Sequence, residues 1–257
     1  MQRENENHDQ NRGAGEPELL PLGPDDRFRF GCGPQVGCFN ACCGDLNQFL
    51  TPYDILRMKN SLGMSSTEFL SAYTSRHVGP ETGMPVVTLR PSGLDGMACP
   101  FLTAGGCGVY ADRPGSCRTY PLVRLSGRNR RTGQLREQYY LMREAHCAGH
   151  DEDREWTVEQ WVKNQGLAPY NRANDLFMQL IAAKNAGGGG PLSLAHQILF
   201  EMACYDLDRF RERLSQGDLA CLDEFPNKAV QRALEDDEVL MHFGVRWLLL
   251  AVFGVRT

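Results

Sequence analysis

The stretch Gly31–Cys43, GCGPQVGCFNACC, decides how the N-terminal half of this chain is built. It sets four thiols, Cys32, Cys38, Cys42 and Cys43, within twelve residues, among Gly31, Gly33, Pro34, Gly37 and Gly44. Four such thiols are hard to explain as core packing, and the glycines leave the backbone free to fold tightly around an ion. Working outward, four more cysteines follow: Cys99 in ACPFL, Cys107 in GGCGVY, Cys117 in RPGSCRTYP and Cys147 in AHCAG. Each lies beside glycine, proline or turn residues, as ligands presented from loops do.

Thiolate is a soft donor that suits zinc and iron–sulfur clusters, and four ligands satisfy one tetrahedral ion or one cubane. Eight clustered cysteines therefore imply two sites or one polynuclear site. The adjacent pair Cys42-Cys43 points the same way, because neighbouring side chains diverge and can serve different metal atoms. Structural zinc usually shows paired C-x2-4-C knuckles, whereas the first group has intervals of five, three and zero residues. This spacing favours iron, as an iron–sulfur cluster or otherwise bound, over zinc as the alternative. Arg113, Arg118 and Arg124 follow near Cys117 and offer hydrogen bonds or charge to the thiolates, with ordinary ion pairing an equal reading for Arg124. Because ligands form a site only on folding, loss of metal is expected to unfold Phe30–Gly149.

The whole chain has 257 residues, 42% of them hydrophobic, and a net charge of -5, enough for one large or two small domains. That charge argues against a nucleic-acid partner, since phosphate affinity comes from Lys and Arg. The N-terminus, MQRENENHDQNRGAGEPELLPLGPDD, lacks the apolar core of a secretory or transit signal, so a cytoplasmic location is expected. In that reducing setting, ten cysteines read as metal ligands or redox groups before disulfides. The most apolar run, Val239–Val255, is short for a bilayer and interrupted by His242 and Arg246; a buried core helix and no membrane contact are expected.

The expected fold class is α+β: a disordered tail over residues 1–26, an irregular cysteine-rich metal-binding domain with short strands over 27–150, and an all-helical part over 151–257 with a glycine-rich break at 187–190. Thr51-Pro52 reads as an N-cap followed by proline at the first helical position, with a stop at Gly63, and Ser65 with Glu68 as a capping box. Strands are expected near Pro85–Arg90, Tyr120–Leu125 and Gln138–Met142. Beyond His150 the pattern gives helices over Thr157–Asn164, Tyr170–Asn185, Leu192–Leu214, Pro226–Glu235 and from Asp237 onward. Cys204 and Cys221 fall in amphipathic segments and read as small buried hydrophobes. His77 and His146 lie near the motifs, but eight thiols already fill two tetrahedral sites. Asp45 and Asp54 carry carboxylates, with Asp54 read as a capping group in the first turn of its helix. Phe39, Phe101, Tyr110 and Tyr120 flank the cysteines as an apolar shell.

The order C-x5-C-x3-CC, LTPYDILRMK, CPFL, GCGVYADRPGSCRTYP and HCAG resembles the YkgJ-type cysteine-cluster family, a zinc- or iron-chelating domain, over Phe30–Gly149. The resemblance puts Cys32, Cys38, Cys42, Cys43, Cys99, Cys107, Cys117 and Cys147 on the family's cysteine positions. It departs at the first interval, where the commonest members have two residues instead of five, so Cys32 is the least closely matched. A related cluster occurs in flagellin lysine-N-methylases, which implies a second reading as a protein-modifying enzyme with a protein substrate. No glycine-rich strand-to-helix turn of an S-adenosylmethionine fold and no CxxxCxxC triad accompanies it. A third reading is a metal-handling or assembly factor that meets protein partners and uses its thiols transiently.

Overall fold

A computed structural model describes residues 17–80, 83–93, 96–128, 134–187 and 190–256. In chain order it contains β1 (Glu18–Leu22), β2 (Arg27–Arg29), α1 (Ala41–Gly44), β3 (Phe49–Leu50), α2 (Pro52–Leu62), α3 (Ser66–Tyr73), β4 (Thr74–Val78) and β5 (Pro85–Leu89). There follow β6 (Leu102–Thr103), β7 (Gly106–Cys107), α4 (Gly115–Thr119), β8 (Leu122–Arg128), β9 (Leu135–Arg143) and β10 (Glu155–Thr157). The rest is helical: α5 (Val158–Asn164), α6 (Ala168–Ala186), α7 (Leu194–Cys204), α8 (Leu207–Ser215), α9 (Asn227–Glu235) and α10 (Asp237–Ala251). This is the expected α+β class.

The chain forms two compact units that do not follow its linear order. The first comprises Met1–Ala41 and Thr119–Gln165, the second Cys42–Arg118 and Gly166–Thr257. The chain crosses between them three times, and the first crossing falls between Cys38 and Cys42.

In the first unit an antiparallel sheet runs β1-β9-β8, and β10 pairs with β2. The disordered tail expected through Asp26 is corrected here, because Glu18–Leu22 pairs with β9, Leu20 opposite Leu141 and Leu22 opposite Tyr139. Pro21 is tolerated because β1 is an edge strand, where a missing N–H interrupts no second ladder. Residues 1–16 lie outside the described ones.

Aromatic side chains fill this unit's core. Phe30 packs edge-on against Tyr120, His150 and Trp161, while Trp156 meets Trp161. The Trp156 indole N–H donates to the Phe30 carbonyl at 2.9 Å, and Trp161 donates to the Thr119 carbonyl at 3.0 Å, so neither buried indole is left unpaired. Gly31 N–H donates to the Gly149 carbonyl at 2.9 Å. At Gly149 a Cβ would lie 2.6 Å from the Gly31 oxygen and 2.7 Å from the Phe30 ring. Gly149→Ala is therefore expected to destabilise the first unit by about 1–3 kcal/mol through overpacking, read as a lower denaturation midpoint with unchanged m-value.

The second unit is built on local signals that the sequence carries openly. Thr51 and Asp54 form a reciprocal capping box at the start of α2, Ser65 and Glu68 form one at α3, and Gly63 ends α2 in the left-handed region at φ 65°. A three-stranded sheet runs β3-β5-β4, with Pro85, Val87 and Leu89 of β5 buried and Val86 and Thr88 partly so. Five helices, α6 to α10, contribute most of the core.

Helix α10 is the apolar run identified above, with Leu240, Trp247 and Leu248 at 1% exposure or less. No helix among the described residues is long and apolar enough to cross a membrane. The single helix expected over Leu192–Leu214 is instead two, α7 and α8, broken at Tyr205-Asp206. Asp206 there accepts hydrogen bonds from the Ser66 and Thr67 hydroxyls at the start of α3, a tertiary use of its carboxylate that hydrophobic period does not reveal.

Candidate metal centre

The second unit holds five of the eight candidate ligand cysteines, Cys42, Cys43, Cys99, Cys107 and Cys117. Cys42 and Cys43 lie in α1, and the Cys43 carbonyl accepts from Cys99 N–H at 2.7 Å. Cys99 opens a tight turn, closed by Leu102 N–H to the Cys99 carbonyl at 3.0 Å, which leads into the β6-β7 hairpin where Cys107 stands opposite Leu102. Cys99 and Cys107 pack at the margin of the hydrophobic core beside the buried Phe101 and Val109. Cys117 sits in α4, its Sγ 3.4 Å from Gln48 Oε1.

Asp54 fixes that last element. One carboxylate oxygen caps α2, and the other accepts from Gly115 N–H at 2.7 Å, so a wholly buried carboxylate ties the start of α2 to the start of α4. Burial pushes its pKa up, against the hydrogen bonds from Gly115 and Thr51.

The thiols feel one another electrostatically. The Cys43 thiol is pushed well up, first by its hydrogen bond with Cys42, then by burial and the charges of Cys42, Cys99 and Cys117. Cys117 is pushed up to about 12 by burial, with Asp54, Cys99, Cys107 and Cys42 adding to it. Cys99 moves up by burial and by Cys107 and Cys42. Grouped sulfurs resist ionising together, and a cation among them reverses that penalty by stabilising every thiolate at once.

Of the three arginines expected near Cys117, Arg113 feels the Cys117 and Cys107 thiols electrostatically. Burial lowers the Arg113 pKa while Cys117 and Cys107 counteract it, and its guanidinium lies 3.9 Å from the Tyr110 ring centre. Arg118 donates to the Arg113 and Ala111 carbonyls and faces the Tyr170 ring. Arg124 pairs with Glu137 across the β8-β9 hairpin at 2.8 Å.

In the first unit the thiols are Cys38 and Cys147, with Cys32 exposed on the same glycine-rich loop as Cys38. That loop is a run of turns, Val36 to Gly33, Phe39 to Val36 and Ala41 to Cys38, anchored by the buried Val36. Ala148 N–H donates to Cys38 Sγ at 3.3 Å. Cys147 is pushed up by burial, opposed by hydrogen bonding from Tyr120 and Gly149 and reinforced by Cys38. The N-terminal quartet that the sequence groups together is thus divided between units.

Other expectations resolve residue by residue. Cys204 is buried, as expected, and its thiol is pushed up by burial alone. Cys221 is exposed in the left-handed region at φ 60°, not a buried hydrophobe, because its chain segment turns there before Leu222. Phe101 is buried, but Tyr110 is 60% exposed and stands outside any apolar shell. His77 is exposed on β4, and His146 lies 3.9 Å from the Glu144 carboxylate. Asp45 is exposed.

Among the described residues, no three or more His, Cys, Asp or Glu side chains are already set as a coordination sphere. The donor chemistry nevertheless fits a thiophilic metal, since five of the eight predicted thiols influence one another in one unit and Cys38 and Cys147 do so in the other. No curated protein matches the chain, and no solved structure does. Residues 32–148 match the model of the CxxCxxCC family, described as a putative zinc- or iron-chelating domain, a span that takes in all eight cysteines. Over that span, a little less than half of the chain, the sequence is thus similar to the CxxCxxCC cysteine-cluster family.

Proposed function

We propose that this protein holds iron, as an iron–sulfur cluster or as thiolate-bound iron, with zinc as the alternative occupant, in a structural or electron-exchanging role. The ligands are Cys42, Cys43, Cys99, Cys107 and Cys117 in one unit and Cys32, Cys38 and Cys147 in the other. The observation that carries this reading is that Cys99 N–H donates to the Cys43 carbonyl, with Cys107 in the hairpin that follows and Cys117 on the helix tied down by Asp54, within a span that matches a zinc- or iron-chelating domain model. Five sulfurs exceed the four of a single tetrahedral ion, which supports a polynuclear group.

The chain's own residues prepare such a site. Arg113 supplies positive charge beside Cys117 and Cys107, and Phe101 and Val109 wall off water where Cys99 and Cys107 meet the core. Asp54 holds α4, and with it Cys117, against α2. When bound, the metal supplies a cross-link between thiol-bearing loops and, if it is iron, a one-electron couple.

Anaerobic purification with elemental analysis and a visible spectrum tests the assignment. Iron with acid-labile sulfide and a brown colour supports an iron–sulfur group; zinc in colourless protein ends the iron reading. Cys43→Ser and Cys117→Ser are each expected to lower the metal bound per chain several-fold, whereas Cys221→Ser, at an exposed site outside the set, leaves it unchanged. Equal metal content in all three variants would remove Cys43 and Cys117 from the ligand set.

A further inference from the structure

Helices α9 and α10 meet at Asp236, which ends the first and caps the second by accepting from the Val239 N–H at 2.8 Å. Between them lies a groove of about 180 Å³, lined by Ala229 and Arg232 of α9 and by Val239, His242, Phe243 and Arg246 of α10. Positions 239, 242, 243 and 246 recur at helical period, so one face of α10 supplies four of the six side chains. The floor is apolar and fixed: Phe243 is 4% exposed and packs against Phe225 at 4.8 Å and Phe210 at 6.4 Å between ring centres. The rim is basic, with exposed Arg232 and Arg246 on the two helices and His242 one turn before Arg246.

Among the described residues neither arginine has an ion-pair or hydrogen-bond partner. The acids at the start of α10 are committed elsewhere: Asp236 to the Val239 N–H, Asp237 to Lys59 and Arg211, and Glu238 to the Tyr53 hydroxyl. Two cations thus stand over an apolar floor with no ion-paired carboxylate, in a chain whose net charge is -5. Size selects among anions. A cavity of about 150 Å³ holds benzene, whereas drug-sized ligands and cofactors occupy about 300–1,000 Å³, so a nucleotide is too large. We infer that this groove binds a small organic carboxylate on an aromatic or branched apolar body, the body lying on Phe243 and Val239 and the carboxylate taken by Arg232 and Arg246. The site is independent of the metal reading, since no cysteine lines it.

The test uses the full chain with 4-fluorophenylacetate as probe, followed by fluorine NMR line broadening in titrations at fixed ionic strength. Saturable binding is expected, and about tenfold weaker binding for neutral 4-fluorophenylacetamide, which keeps the ring and loses the charge. Arg232→Gln and Arg246→Gln are each expected to weaken the probe about tenfold, because each removes a charge-assisted hydrogen bond. Both side chains are exposed, so circular dichroism should not change. Arg209→Gln, at an exposed position on α8 outside the groove, should bind as wild type does. Ala229→Phe places a ring in the groove and is expected to exclude the probe while both arginines remain. The inference is overturned by any of four results: no saturable binding, equal affinity for acid and amide, a loss in Arg209→Gln as large as in the groove variants, or undiminished binding in Ala229→Phe.

Discussion

Trp247→Ala is expected to destabilise the second unit by about 3–5 kcal/mol, the usual range for deleting a large aromatic side chain from a closed core. Trp247 is 1% exposed on α10, packs against Phe210 at 5.5 Å between ring centres, and donates its indole N–H to the Ala220 carbonyl at 2.8 Å. Alanine removes the packing and leaves that carbonyl without its donor. Trp247→Phe keeps most of the packing and should lose less. Urea unfolding followed by far-UV circular dichroism reads both, and a change below about 1 kcal/mol for alanine would show that α10 does not centre this core. Gly244, one turn earlier, shows how close that packing is: a Cβ there would lie 2.5 Å from the Ala203 carbonyl oxygen.

Stripping metal from the purified, reduced protein is expected to lower its melting temperature by on the order of 10 °C, at about 2–4 °C for each kcal/mol of lost binding free energy. The structure narrows what should be lost. Unfolding of all of Phe30–Gly149 was the expectation from sequence, but α2, α3 and β5 within that span are packed into the second unit's core by Ile55, Leu56, Phe69 and Val87. Hydrogen exchange should therefore rise in Gly31–Cys43 and Cys99–Cys117 while α2 and α10 stay protected. Loss of protection throughout α2 would mean that the metal organises the whole unit.

The raised thiols give this prediction a pH axis. Burial and neighbouring sulfurs hold Cys43, Cys99 and Cys117 above the ordinary thiol value of 9.0, so near neutrality they carry protons that a metal must displace. Affinity should rise with pH, roughly tenfold per pH unit for each thiol proton released, and fall as pH is lowered. Without metal the sign is opposite: protonated thiols favour the folded state below pH 9, and that contribution fades above it as unfolded thiols ionise first. Competition titrations at several pH values check the slope, and a pH-independent affinity would exclude displacement of thiol protons.

The features legible in the sequence are those governed by neighbouring residues. Capping boxes at Thr51 with Asp54 and Ser65 with Glu68, the stop at Gly63 and the apolar run of α10 all appear where chain chemistry places them. Cysteine spacing likewise identified the metal-chelating region that the family model covers. Less legible were features that only a distant partner supplies. β1 exists because β9 pairs with it, and α7 and α8 separate because Asp206 bonds to α3. Asp54 looked like a cap, and is also the tie that places Cys117.

The thiols show the same division. Their number and softness follow from residue type alone, and those suffice for a chain that chelates metal. Which cysteine-bearing segments stand together does not follow from order, since the Cys99 N–H reaches the Cys43 carbonyl and the Ala148 N–H, next to Cys147, reaches the Cys38 sulfur. Spacing along a chain fixes only local reach, whereas the grouping of these segments depends on contacts between parts of the chain far apart in sequence. A buried hydroxyl such as that of Tyr120 is likewise invisible until folding closes water out around it.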